Sequence, residues 1–253
     1  MNAEADEPQA EESLISHLIE LRSRLIRSIV AVLVLFVALF PFREWLYTEL
    51  AEPLTRHLPH GGHLIATEVS SPFFTPIKLT AVLALVLAMP VVIYQAWAFV
   101  SPGLYRHEKR LARPLLVSAV LLFYTGCAFA YFLVMPAAFR FLTAVTPQGV
   151  EMMTDINHYL SFVLTLFFAF GLCFEVPVAV VILVAIGLLS VDKLRKSRPY
   201  VVVVCFALAA VLTPPDVMSQ VLLAVPMYLL FEAGILASTL LVRTDGDTAD
   251  ADD

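Results

Sequence analysis

Apolar residues in this chain come in runs long enough to cross a lipid bilayer, and that feature leaves few folds open. The runs fall at about 25–42, 77–99, 114–135, 159–189, 200–212 and 217–242. A helix of roughly 20 residues covers a hydrocarbon core of about 30 Å, and it satisfies its own backbone groups where no water is at hand. With 60% hydrophobic and 15% charged residues, the reading is an all-α, polytopic integral membrane protein of six transmembrane helices, occupying 16–242. The flanking stretches 1–15 and 243–253 hold "EADEPQAEE" and "DGDTADADD". Acid-rich and without apolar periodicity, they are expected to be disordered tails. The first run is too long for the apolar core of a signal peptide and lacks a small-residue cleavage site, so it is expected to remain as a span.

An even number of spans puts both ends on one side, and the basic residues say which. Arg22, Arg24, Arg27, Arg106, Lys109, Arg110, Arg113, Lys193, Arg195, Lys196, Arg198 and Arg243 share the face of the termini, against Arg43, Arg56, Lys78 and Arg140 opposite. That asymmetry predicts cytoplasmic termini. The spans are also unequal. Residues 200–212 make about 20 Å of helix, short of the hydrocarbon thickness, whereas 159–189 is long enough to tilt and bend at Pro177. Pro90, Pro136, Pro177 and Pro226 each remove a helical donor, so a curved, concave wall of kinked helices is expected rather than a straight bundle.

Chemistry has few places to live in such a chain. "HExxH", "GxSxG", "GxxxxGK[ST]" and paired-cysteine motifs are missing from the sequence, so metalloprotease, serine hydrolase and P-loop readings lack their parts and no enzyme, cofactor or nucleic-acid partner is expected. His57, His60 and His63 in "HLPHGGH" have a chelating spacing, but exposed histidines around a Gly-Gly turn explain them more simply, and no metal site is assigned. Cys127, Cys173 and Cys205 fall inside apolar runs, away from any loop where oxidation would link them.

Two basic stretches on the terminal face also carry carboxylates. In "SHLIELRSRLIR", Ser16 is expected to cap an amphipathic helix entering the first span, and Glu20 stands four residues before Arg24, where an intrahelical ion pair forms. In "FVSPGLYRHEKRLARP", Glu108 precedes Lys109 and Arg110 and is partly neutralised by them.

Several blocks, in order, carry a resemblance. "HLIELRSRL", "ATEVSSPFFTPIKL", "YQAWAFVSPGLYRHEKR", "AFAYFLVMPAAFRFL", "FGLCFEVPVAV", "RPYVVV" and "LTPPDVMSQVLLAVPMYLLFE" resemble the TatC subunit family of the twin-arginine protein translocase, over about 16–241. One departure is "HEKR", where many relatives have two arginines after the glutamate; lysine keeps the charge and loses the planar fork. The resemblance implies a receptor in the bacterial inner membrane for signal peptides bearing paired arginines. It implies too a homo-oligomer within a larger complex, in which single-span partners of the TatA and TatB type help export folded proteins using the proton motive force. It assigns Glu20, Arg22, Phe99 and Glu108 to signal-peptide binding and places Pro53 in a sensitive external loop, where a proline also orders a turn. Guanidinium pairs are best held by carboxylates, which suits Glu20 and Glu108.

The final hairpin and one buried acid complete the expectations. Thr213 and Gln220, around "TPPD", are expected to dock a partner's helix, with Asp216 capping the last helix. Glu175 lies near mid-depth of its run, where an acid exposed to lipid costs roughly 2.5–3.5 kcal/mol. It is expected to face a concave protein pocket and to serve partner recruitment or transport. The competing expectation is local repair: Pro177 leaves the Cys173 carbonyl without its donor, and a protonated Glu175 or a water satisfies it. A different class of function, a proton-coupled solute transporter relaying through Glu175 and Glu232, is the alternative; internal repeats, its usual signature, are not evident.

Overall fold

The computed structural model describes residues 7–55, 65–100, 109–145, 153, 155–212 and 217–247. Among them the main elements are α-helices: α1 (Glu7–Leu39), α2 (Arg43–Thr55), α3 (Ser71–Val100), α4 (Lys109–Phe129), α5 (Met135–Val145), α6 (Ile156–Cys173), α7 (Val176–Ala185), α8 (Val191–Lys196), α9 (Arg198–Leu212) and α10 (Val217–Asp247). Five stretches are long and apolar enough to span a membrane, and α9, at 15 residues, is a shorter apolar helix. Six apolar passes are thus present, with the inequality the sequence predicts.

Several boundaries differ from expectation for local reasons. α1 starts at Glu7 rather than at a cap on Ser16, because glutamate and alanine are good helix formers and a helix already nucleated extends at little cost. At the other end α10 runs on to Asp247, past Arg243. The long fourth pass breaks one step earlier than Pro177: α6 ends at Cys173, Phe174 and Glu175 form a turn, and α7 starts with the proline in its first turn, where its missing N–H costs nothing. Before Pro136 the helix widens into a π turn at Ala130–Val134, where the Met135 N–H donates to the Ala130 carbonyl. Pro136 cannot donate to Phe132, and the wider turn is how the helix absorbs that loss. Pro90 and Pro226, in contrast, lie inside helices that continue through them.

α6 is the hub. Tyr159, Val163, Leu166 and Phe170 are buried against Ala130, Val134 and Met135 on one side and against Ala209, Leu223 and Met227 of the last hairpin on the other. Two glycines set how closely neighbouring helices approach α6 and α7. A β-carbon on Gly126 would lie 2.5 Å from the Phe170 carbonyl oxygen, and one on Gly234 2.9 Å from the Cα of Pro177. α1, by contrast, packs along α3 and leaves Leu18, Leu25, Ile29, Leu33 and Val37 exposed, as a helix bordered by lipid or by another helix does.

Candidate functional site

At the terminal end of α1, three side chains share one face. His17, Glu20 and Arg24 recur at three- and four-residue steps, which stacks them on the same side of the helix. Glu20 accepts from the Arg24 Nε at 3.0 Å, and the Arg24 terminal nitrogen reaches the same oxygen, Oε1. The intrahelical pair is therefore present. It leaves Oε2 without a hydrogen bond among the described residues, on a carboxylate whose side chain is 37% exposed. The His17 ring stacks on Phe99 with centroids 4.2 Å apart and planes at 22°. That contact brings the end of α3 to the α1 face, so Phe99 and Glu20, far apart in sequence, belong to one patch. Arg22 is exposed on the opposite side of α1. Sequence reasoning overlooked His17; its one available signal was an aromatic ring three residues before an assigned acid. Glu108 lies outside the described residues.

Glu175 sits at the α6–α7 break with one carboxylate oxygen, Oε1, buried and without a hydrogen-bond partner among the described residues. Its side chain does not cap α7. The backbone around it is otherwise well bonded: the Glu175 N–H donates to Leu172 O at 3.1 Å, and Ala179 donates to Glu175 O at 2.9 Å. Repair of the Cys173 carbonyl by this side chain is not seen. A buried polar oxygen without a partner among the described residues is rare in folded proteins. Glu232, the other member of the relay alternative, is fully engaged: it accepts from Arg198 at 2.7 Å and from the Tyr228 hydroxyl at 2.6 Å, tying the start of α9 to α10.

Gln220 donates through Nε2 to the Phe206 carbonyl at 2.9 Å, which ties α10 to α9. Thr213 and Asp216 lie outside the described residues, as do His57, His60 and His63. Pro53 is in α2, within the helix rather than in a loop.

The opposite end of the molecule holds a clamp that sequence reasoning also missed. Asp155 caps α6, accepting from the N–H groups of Asn157 and His158 at 2.9 and 3.1 Å through Oδ1. Through Oδ2 it accepts from the Thr67 hydroxyl at 2.6 Å and the Thr67 N–H at 2.9 Å, while Ile156 donates to Ile65 O at 2.9 Å. The Thr67 hydroxyl and backbone bonds, followed by those from α6, hold its carboxyl well below the usual range. The signal was an aspartate directly before an apolar helix, read as loop because the apolar count began later.

The arrangement defines a class before it defines a family: a polytopic helical membrane protein that presents a carboxylate–aromatic patch at one face and a buried acid at a helix break. Comparison with known proteins gives the family. The family model described as "Sec-independent protein translocase protein (TatC)" matches residues 16–226, and the chain belongs to that family. It is 59% identical over 235 residues to the protein of that name from Azotobacter chroococcum mcd 1, covering 93% of this chain and 92% of that one. It is 56% identical over 231 residues to the Escherichia coli K12 protein, covering 91% and 90%. A crystal structure described as the twin arginine translocase receptor TatC superposes with a TM-score of 0.79 at 38% identity, covering 88% of this chain and 98% of that one.

Proposed function

We propose that this chain is the signal-peptide receptor of a twin-arginine translocase in the bacterial cytoplasmic membrane, with both termini cytoplasmic. The reading is supported by family membership and by the distribution of basic residues. The observation that carries it is the Glu20 carboxylate, which pairs with Arg24 through one oxygen only and stands on the helix face that His17 joins to Phe99. A guanidinium of the signal peptide takes the second oxygen, and Glu108 takes the other arginine of the pair. Arg22 is exposed on the opposite side of α1 from that patch. Single-span partners of the TatA and TatB type dock at the last hairpin, around Thr213, Asp216 and Gln220, and a donor from a partner or signal helix reaches Glu175 during transport. Pro53 orders the external cap. Export draws on the proton motive force.

The test is binding and site-specific crosslinking of a twin-arginine signal peptide to the chain in native membranes. A charge-assisted contact of roughly 1.5–3 kcal/mol predicts that Glu20→Ala and Glu108→Gln each weaken binding about tenfold or more while the complex still assembles. Unchanged affinity in both variants would refute the assignment.

A further inference from the structure

At the end of the bundle away from the chain termini, two cavities meet at Lys78. One, of about 350 Å³, is lined by Glu68, Ser70, Ser71, Lys78 and Asn157. The other, of about 420 Å³, continues along Lys78, Ser161, Val82, Phe168 and Leu172. Lys78 is exposed and donates to the Ser161 hydroxyl at 2.7 Å. Glu68 accepts from the Ser71 hydroxyl at 3.5 Å. An ammonium and a carboxylate thus line one cavity together with the apolar Phe74 and Ile77, yet neither forms an ion pair with any described residue. Directly beyond them the lining turns apolar. Lys78 lies seven residues into α3 and Ser161 five into α6, roughly 10 and 8 Å along their axes, a depth at which headgroups give way to acyl chains.

We propose that this groove binds one phospholipid of the adjoining leaflet, and that its headgroup is a primary-amine phosphodiester. The phosphate accepts from the Lys78 ammonium, which keeps two N–H donors beyond its bond to Ser161, whose own hydrogen goes to the Asn157 carbonyl; the headgroup ammonium donates to Glu68, and one acyl chain follows Val82, Phe168 and Leu172. Both charge signs are matched, which a purely anionic ligand would not achieve beside Glu68. Val82, Phe168 and Leu172 give the trough an apolar lining along which an acyl chain lies, continuous with the charged end at Lys78.

The experiment uses the full chain in detergent micelles supplemented with dioleoyl phosphatidylethanolamine, phosphatidylcholine or phosphatidylglycerol, read by native mass spectrometry and by Tm. The expected result is one retained lipid, with the ethanolamine lipid raising Tm more than the choline lipid, whose methylated amine cannot donate, or the glycerol lipid, which has none. Lys78→Gln lowers occupancy at least tenfold for all three. Glu68→Gln removes the preference for ethanolamine and keeps binding, and Thr165→Trp, at an exposed position lining the trough, lowers occupancy with both charges intact. Wild-type occupancy in Lys78→Gln, or in Thr165→Trp if the lysine variant does not fold, overturns the proposal. So does equal stabilisation by the choline and ethanolamine lipids, and so does crosslinking from Thr165 to a protein helix in place of lipid.

Discussion

Gly126→Ala tests how α4 and α6 hold the helix break at Glu175. The added methyl would stand 2.5 Å from the Phe170 carbonyl oxygen and 3.0 Å from both the Phe170 carbonyl carbon and the Phe174 Cβ. A carbon-to-oxygen contact settles at about 3.3–3.6 Å, so the helices must part by roughly 0.8–1.1 Å at this level. Two of the three atoms are backbone and cannot swing aside. Phe170 is fully buried in the central cluster, and Phe129 packs its ring against both Phe170 and Phe174, so the shift spreads through the core. Overpacking of this kind costs about 1–3 kcal/mol. At about 2–4 °C per kcal/mol for a chain of this size, Tm should fall by about 2–12 °C. The displaced turn is the one that ends in Glu175, so export per assembled complex should fall too, with signal-peptide binding at the far patch unchanged. Thermal unfolding of the purified protein in detergent gives the first quantity, and export of a folded reporter normalised to membrane-inserted protein gives the second. Thr125→Ala, on the exposed side of the same helix, is the control and should stay within about 0.5 kcal/mol of the parent. A Gly126→Ala protein with the parent's Tm would refute the close α4–α6 approach.

Glu175→Ala should fold and bind signal peptide yet lose export, while Glu175→Gln, which still hydrogen-bonds, keeps part of it; normal export by an assembled Glu175→Ala complex would leave this acid without a transport role. Asp155 is held ionised by Thr67 and the first turn of α6, so its folded pKa lies below its unfolded one. Its contribution is therefore full above the ordinary carboxylate value of about 4 and is lost as pH falls through the folded value. Unfolding measured from pH 6 down to 3 should show a steeper loss of stability in the parent than in Asp155→Asn; identical slopes would sever the clamp from stability. Arg198 is nearly half exposed and Glu232 keeps the Tyr228 hydroxyl, so the coupling between Arg198 and Glu232 should be no more than about 1 kcal/mol. A double-mutant cycle on Arg198→Met and Glu232→Met, read by Tm, measures this, and strict additivity would show that the pair is not coupled.

The sequence by itself determined the class, the number of apolar passes and the shortness of α9, because bilayer thickness converts run length directly into span count. It determined the Glu20–Arg24 pair as well, since four residues bring two side chains together on any helix. Helix boundaries were legible only in part. The break before Pro177 and the π turn before Pro136 are both caused by proline, but where the chain absorbs the lost hydrogen bond depends on what packs against it, here Phe129 on Phe170 and Phe174. Contacts between distant segments were decided by tertiary structure alone: His17 on Phe99, Thr67 on Asp155, Lys78 beside Ser161, Gln220 on Phe206. Apolar patterning states that a residue faces a neighbour and not which neighbour, because lipid and protein interiors are equally apolar. Only close packing, polar pairing and the room left by Gly126 and Gly234 select among the possible partners.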